Sequence, residues 1–242
     1  TANGAKINVP SGRDITIAQT LQDAPTFAGT LTKDGIGVLT LPSANTYTGE
    51  TVVKAGTISI TNGAALGTTA GATTIIGGNG TGAHTLRLSN AAAGLSLAEP
   101  ININGTAAGR AQVVNDSAQN HTLSGPIDIS SDTNLPQIVS SGSGSIAVTG
   151  DITGALSNGA LLFLRGTSTN ALNTVTGSIN ITGGNLAKTD GSVWTLGAAG
   201  ETYSWVDTVV AVGTLKMGAA GVLPSSSVLI MGNATAGTHT PT

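Results

Sequence analysis

Acidic residues are the first candidates for chemistry in this chain, because paired carboxylates can cleave polysaccharides. Such a reaction needs two carboxylates a few ångströms apart, or one base whose pKa is raised in a cleft. The nearest candidates are Asp128, Asp132 and Asp151, which could stack on one face of a regular fold. Their spacing does not favour this arrangement over solvated carboxylates in turns. The sequence therefore predicts that the protein is not an enzyme.

Two further features resemble ligand sites but lack the required partners. The residues His84, His121 and His239 lie far apart, without the paired spacing of metal ligands, and are expected to be lone surface residues. The glycine-rich segment 77–82 is followed by Ala83, where a phosphate loop needs Lys and a calcium loop needs Asp. It is predicted to be a turn between strands. We expect no metal and no cofactor.

The composition excludes several classes of protein. The 242 residues include 35 glycines, and only 2% are aromatic and 9% are charged. So few aromatic residues favour thin, regular core layers filled by aliphatic side chains, as in a solenoid. The nine Lys and Arg residues are scattered, which excludes a nucleic-acid-binding stripe. No run of eighteen apolar residues occurs, so membrane insertion is not expected.

The amino terminus and the lack of cysteine bear on the location of the protein. The first residues do not form a signal peptide, which predicts that one was removed or that the chain is cut from a larger protein. The absence of cysteine is compatible with export, because a long solenoid needs no disulfides.

Short strand patterns recur along the chain, and no window has sustained helical periodicity. Gly, Asn and Pro separate the segments, so the sequence predicts an all-β solenoid, with a pair of β-sandwiches as the alternative. The predicted strands are 6–9, 15–20, 38–41, 51–54, 57–61, 73–76, 85–89, 101–104, 112–114, 126–129, 137–139, 145–149, 160–164, 178–182, 193–196, 208–212, 213–217 and 227–231.

Residues 29–67 contain the densest motif in the chain. This segment resembles the autotransporter-associated β-strand repeat of large bacterial surface proteins. The resemblance is carried by Gly29, Thr30, Leu31, Lys33, Gly35, Gly37, Leu39, Leu41, Asn45, Tyr47, Thr48, Gly49, Thr51, Val53, Gly56, Thr57 and Ile58. It implies an extracellular, right-handed parallel β-helix with a structural role.

A degenerate second copy occupies residues 184–223. The segment 188–196 resembles 33–41 with one inserted residue. The segment 201–215 resembles 45–58, and Tyr203 corresponds to Tyr47. Recurrence of a unit is the signature of a solenoid. The sequence therefore predicts a single parallel β-solenoid over residues 1–242, with about ten coils of roughly 20 to 25 residues.

Four residues of the repeat loops are predicted to be structural, namely Asn45, Tyr47, Gly49 and Tyr203. The recurring tyrosines could stack on a carbohydrate. The favoured interpretation is that they cap a loop and pack on its Pro or Ala. The Asn-x-Ser/Thr triplets at Asn104, Asn115, Asn120, Asn180 and Asn233 are expected by chance in a chain so rich in Asn and Thr.

Neither end of the predicted solenoid resembles a cap. Uncapped strand edges pair with further strands, so the ends are expected to join head to tail. The residues predicted to form these ends are Ile7, Val9, Ile15, Ile17, Val228, Leu229 and Ile230. The favoured function is a structural one, as the subunit of a self-assembling bacterial surface fibre or as a rod segment of a surface protein.

Two other functions remain open. An adhesin passenger would use the same rod to present loops to cell-surface glycans. A polysaccharide-active β-helix enzyme is the less favoured alternative. The expected partner is a second copy of the chain, and the expected location is the bacterial outer surface.

Overall fold

The computed structural model describes residues 4–77, 83–89, 92–105, 110–131, 136–157 and 159–232. These residues form 25 short strands, and none of them lies in a helix. All pairings between these strands are parallel, and Ala24 and Phe27 form an isolated antiparallel bridge. The fold is therefore a parallel β-solenoid, as predicted. A pair of sandwiches is excluded, because sandwich strands pair antiparallel.

Each turn of the solenoid crosses up to three parallel sheets. The first sheet contains Gly4–Asn8, Thr30–Asp34, Thr51–Val53, Thr73–Gly77, Ile101–Gly105, Ile127–Ser131, Ile152–Leu156, Ile179–Thr182 and Tyr203–Ser204. The second contains Asp14–Thr16, Val38–Leu41, Thr57–Ile60, Ala83–Leu88, Arg110–Asn115, Gln137–Ser140, Leu161–Arg165, Asn185–Lys188, Thr208–Val210 and Leu229–Met231. The third contains Ser96–Leu97, His121–Leu123, Ile146–Val148, Thr174–Val175, Val193–Leu196 and Thr214–Met217.

The solenoid has about eight turns, fewer than the ten that the sequence predicted. Turn length varies along the rod. One turn takes 20 residues, from Leu31 to its partner Thr51, whereas another takes 28 residues, from Thr73 to its partner Ile101. The prediction was too high because several turns are longer than the assumed coil.

The core consists of stacked columns of aliphatic side chains. Alternate strand residues face the interior, and parallel pairing places equivalent residues about 4.8 Å apart along the rod. One inward column of the second sheet contains the fully buried residues Leu39, Ile58, Leu86, Val113, Ile138 and Leu164. This regular stacking explains how the chain builds a core with few aromatic residues.

A column of glycines lines the corner at which the chain enters the first sheet. Each member lies two residues before a paired residue of that sheet, and the column contains Gly29, Gly49, Gly71, Gly125, Gly150 and Gly177. A Cβ atom built on Gly150 would lie 2.0 Å from the carbonyl oxygen of Gly125. The corner is therefore packed backbone against backbone. Among the described residues, Glu99 and Glu201 occupy the two other positions of this glycine column.

All the predicted strands overlap observed ones, although their ends differ by a few residues. The strands that the sequence patterns did not predict are Thr30–Asp34, Ser96–Leu97, His121–Leu123, Ile152–Leu156, Thr174–Val175, Asn185–Lys188 and Tyr203–Ser204. Most of these are only two or three residues long or carry Lys, Asn or Gly, which are poor strand formers.

Candidate functional site

A serine and a histidine are in contact at the corner after the strand Arg110–Asn115. Ser117 Oγ lies 3.0 Å from His121 Nε2, which is the contact that an activated serine nucleophile requires. However, the backbone N–H of Leu95 donates to His121 Nδ1 at 2.9 Å. The ring proton therefore lies on Nε2, and this nitrogen donates to the serine. His121 cannot accept a proton from Ser117 in this arrangement.

The remaining contacts of Ser117 belong to a structural network. Its Oγ also accepts from the backbone N–H of Gln119 at 3.1 Å and donates to Asn115 Oδ1 at 2.8 Å. The fully buried Asn115 amide in turn donates to the carbonyl oxygens of Gln119 and Ser145, at 2.9 and 3.0 Å. The network ties this corner to the next turn. The sequence patterns did not predict this network, although Ser117 and His121 lie only four residues apart.

His84 and His121 are buried, with only 2% and 1% of their surfaces exposed, so the prediction of surface histidines is wrong for both. Each lies in a strand position whose register partner, Ala111 or Ile146, is also buried. Burial lowers the pKa of both imidazoles and favours their neutral forms. His239, Asp132, Asn233 and most of the predicted glycine turn, residues 78–82, lie outside the described residues.

The two predicted acids that the structure describes lie in different columns. Asp128 is exposed on the outer face of the first sheet, beside Thr153 of the next turn. Asp151 is exposed at the corner before that sheet, where its Oδ1 accepts from the backbone N–H of Ser178 at 3.0 Å. Register therefore does not stack the two carboxylates. Within the described part of the chain, no three His, Asp or Glu side chains form a group that could bind a metal.

A buried lysine stabilises the corner between the first and second sheets. Lys33 belongs to an inward column, between Ile7 and Val53, and is fully buried. Its Nζ donates to the carbonyl oxygens of Asp34, Gly35 and Ala55, at 3.0, 2.6 and 3.0 Å. The ammonium thus joins two successive turns, while burial lowers its pKa to about 8.

Lys188 forms the same structure in the second copy of the repeat. Its buried Nζ donates to the carbonyl oxygens of Thr189, Asp190 and Val212, at 2.6, 2.8 and 3.1 Å. Asp190 has a positive φ of 60°, and Gly35 has a φ of 73° at the equivalent place. The two segments therefore correspond residue by residue, and the inserted residue proposed from the sequence is wrong.

The two copies do not lie at the same corner. Lys33 lies in the first sheet and Val38–Leu41 continues in the second, whereas Lys188 lies in the second sheet and Val193–Leu196 in the third. The second copy is therefore displaced by one face of the solenoid.

Asn45 connects three successive turns in the first repeat. Its Oδ1 accepts from the backbone N–H of Leu21 at 2.8 Å, and its Nδ2 donates to the carbonyl oxygen of Ala65 at 2.5 Å. Gly49 approaches the turn before it closely, because a Cβ there would lie 2.5 Å from the carbonyl oxygen of Gly29. Both positions thus depend on contacts between turns.

Tyr47 is buried in the loop that precedes the strand Thr51–Val53. Its hydroxyl lies 2.6 Å from Thr51 Oγ1, and burial raises its pKa to about 12. With 3% of its surface exposed, it has no face for a carbohydrate. Tyr203 instead begins a strand and accepts from the backbone N–H of Ala198 at 3.0 Å.

Trp205, rather than Tyr203, takes the structural place of Tyr47. Its buried indole Nε1 donates at 2.8 Å to the hydroxyl of Thr208, which begins the following strand as Thr51 does in the first repeat. The alignment of the two tyrosines was therefore misleading, because a different aromatic residue makes the equivalent contact.

The first turn of the solenoid exposes part of its apolar interior. Ile15 has 38% of its surface exposed, although its register partner Leu39 is fully buried. Ile7 and Ile17 are half-buried. Val9 is fully buried and contributes no surface to this end.

An open apolar cavity of about 140 Å³ lies between the first two turns. Its wall includes Ala5, Ile7, Leu21, Leu31 and Tyr47. The cavity lies beside the first sheet, at the same end of the solenoid as Ile15. Part of the apolar core is therefore accessible at this end.

The last described turn exposes its interior more strongly. Met231 continues the inward column after Val210, yet 81% of its surface is exposed. Val228 and Leu229 are 42% and 49% exposed, whereas Ile230 is half-buried. Both described ends therefore present apolar side chains from positions that are buried elsewhere in the rod.

These features define a parallel β-solenoid whose corners are joined by buried polar side chains. Residues 31–60 match the family model of the Passenger-associated-transport-repeat, which confirms the resemblance found in the sequence. The match spans two strands of the first sheet and two of the second. Comparisons with curated proteins and with solved structures gave no match. In the described ranges, no helix could cross a membrane.

Proposed function

We propose that this protein is a structural rod of the autotransporter passenger type, located at the bacterial cell surface, and that copies of it join head to tail into a fibre. The transport-repeat match and the solenoid fit a passenger-type surface protein. The observation that carries the assembly proposal is the exposure of inward-facing residues at both described ends.

Both ends have the chemistry needed to extend the solenoid. The strands Gly4–Asn8 and Leu229–Met231 are edges of their sheets and pair with one neighbour each. An edge strand offers unpaired backbone N–H and C=O groups to another strand. Here, exposed Ile15 and Met231 add apolar surface at opposite ends. A second copy supplies a parallel strand and an apolar layer together.

Such a joint has a defined consequence for assembly. Contact between two different ends is heterologous and does not close, so each added copy leaves a new end of the same kind. The product is an unbranched filament. About eight turns stacked at about 4.8 Å give an axial repeat of about 40 Å.

A structural function also agrees with the chemistry of the described side chains. The ring proton of His121 lies on Nε2, which faces Ser117, so His121 cannot act as a base toward this serine. Asp128 and Asp151 do not share a column. The proposal therefore assigns no reaction to the chain.

Electron microscopy of the purified chain at micromolar concentration tests the proposal. We expect filaments with the subunit repeat given above. Met231→Asp and Ile15→Asp should give isolated rods, because each introduces a carboxylate into the apolar joint. Thr182→Asp is the matched control, since Thr182 is exposed at the end of a first-sheet strand, beside Ala155, and its substitution should leave the filaments intact.

Isolated rods formed by the unsubstituted chain at tens of micromolar would overturn the fibre proposal. If such rods bound immobilised glycans, the adhesin alternative would replace it. Filaments that persisted in both end variants would show that the described ends are not the joint.

A further inference from the structure

Glu99 interrupts the glycine column with a buried carboxyl group. Only 4% of its surface is exposed. The neighbouring positions of the column are Gly71 in the previous turn and Gly125 in the next. A Cβ on Gly125 would lie 2.2 Å from the carbonyl oxygen of Glu99, so the backbone here is packed as tightly as elsewhere in the column. Glycine occupies this corner in most of the other turns, whereas Glu99 places an ionisable group there.

In the described part of the chain, no cation is paired with Glu99. Its Oε1 accepts one long hydrogen bond, at 3.4 Å, from the hydroxyl of Thr73. The ionisable group that faces it is the phenol of Tyr47, which is neutral and bonded to Thr51. Among the described residues, the ion pairs involve other carboxylates. A buried carboxylate without a cation is unfavourable, whereas a protonated carboxyl is tolerated.

We propose that Glu99 is a pH-sensitive element of the solenoid wall, which keeps the strands Thr73–Gly77 and Ile101–Gly105 paired when protonated and favours their separation when ionised. Its register position supports this role, because a change at the corner acts directly on the strands Thr73–Gly77 and Ile101–Gly105 that flank it. The inference is independent of the fibre proposal.

The direction of the pH effect follows from proton linkage. Burial raises the pKa of Glu99 from 4.5 to about 7, although the Thr73 hydrogen bond lowers it. Between these two values the open form binds fewer protons than the closed form. Opening therefore becomes about tenfold more favourable for each pH unit of increase. Above about pH 7 both forms are ionised, and the effect levels off.

Two buried histidines act in the opposite direction over part of this range. Burial lowers the pKa of His84 and His121, so their contribution to stability decreases as the pH falls below about 6.5. The test must therefore compare the native chain with a Glu99 variant, rather than interpret one profile alone.

Hydrogen exchange measured by mass spectrometry between pH 5 and 8, corrected for intrinsic exchange rates, provides this comparison. The ratio of opening constants, native chain over Glu99→Gln, should rise about tenfold per pH unit for peptides covering Thr73–Gly77 and Ile101–Gly105, up to about pH 7. Glu99→Gly provides a second variant, which places glycine at this position as in the neighbouring turns. The ratio of opening constants, native chain over Glu99→Gly, should rise with pH in the same way.

Glu201→Gln is the matched control, because Glu201 belongs to the same column but is exposed. Its opening constants in these peptides should keep the pH dependence of the native chain. A constant ratio for both Glu99→Gln and Glu99→Gly would overturn the proposal. The proposal would also be overturned if Glu201→Gln altered the pH dependence of the opening constants as much as Glu99→Gln does, since the effect would then not require a buried carboxyl group.

Discussion

Lys33 and Lys188 form the same three hydrogen bonds at different corners of the solenoid. In each case the ammonium binds two carbonyl oxygens of its own turn and one of the next. One lies between the first and second sheets, the other between the second and third. The repeat therefore specifies a strand, a corner and a strand, and this unit can be placed on different faces of one rod.

Replacing the first of these lysines should strongly destabilise the fold. In Lys33→Met the side chain still fills the interior, but three carbonyl oxygens lose their donor. We expect a loss of about 2–4 kcal/mol in the free energy of unfolding, measured by chemical denaturation at pH 7. Lys54→Met is the control, because Lys54 is exposed in the next turn and should cost under about 0.5 kcal/mol. Equal losses in both variants would contradict this role for the ammonium.

Gly150 in the glycine column should not tolerate an added methyl group. In Gly150→Ala the new Cβ would lie 2.0 Å from a carbonyl oxygen of the previous turn, so the backbone must move. We expect a loss of about 3 kcal/mol or more in thermal or chemical unfolding. Gly191→Ala provides the comparison, since nothing lies within 4 Å of its added Cβ, and it should be nearly neutral. A neutral Gly150→Ala would show that the column is not tightly packed.

Asn45→Ala should loosen the contacts among the first three turns. The backbone N–H of Leu21 and the carbonyl of Ala65 would both lose their partner. A loss of about 2–4 kcal/mol is expected, together with faster amide exchange at Leu21. Asn62→Ala removes one hydrogen bond within a turn, to the N–H of Ala64, and should cost only about 1 kcal/mol. The prediction fails if exchange at Leu21 does not change.

The buried histidine His121 should make the fold sensitive to acid. Burial lowers its pKa below 6.5, so the unfolded chain takes up a proton first as the pH falls, and the free energy of unfolding decreases. In His121→Leu the difference in this free energy between pH 7 and pH 5 should be smaller than in the native chain. Absolute stability should also fall, because Leu95 N–H loses its acceptor. An unchanged difference between the two pH values would refute the assignment.

Local patterns in the sequence were sufficient to predict the all-β solenoid. The strand Val38–Leu41 alternates half-buried and buried residues as its sequence suggests, and Gly, Asn and Pro mark the corners. The strand Thr30–Asp34, which contains Lys33, was not predicted, because a lysine followed by Asp-Gly resembles a turn. The turn is present, but the lysine side chain points into the core and donates hydrogen bonds to the carbonyl oxygens of the turn. Sequence alone does not distinguish such a lysine from a solvated one.

Contacts between turns could not be predicted because they depend on register. The place of Glu99 in the glycine column appears only when turns of different length are aligned through their pairing. The same holds for Ser117, whose hydroxyl is satisfied by a histidine oriented from the previous turn through Leu95. Trp205 replaced Tyr203 as the counterpart of Tyr47 because the contact with the following threonine, not the residue type, is preserved.

The parallel register also determines how the rod responds to force. Backbone hydrogen bonds between turns are directed along the axis, so tension between the two ends acts on all turns in series. Each turn can separate while its neighbours stay paired, and it then releases a loop of 19 to 28 residues. Fully extended, such a loop adds about 65 to 100 Å. A pulled rod therefore lengthens in discrete steps, each of which absorbs mechanical work before the next turn yields.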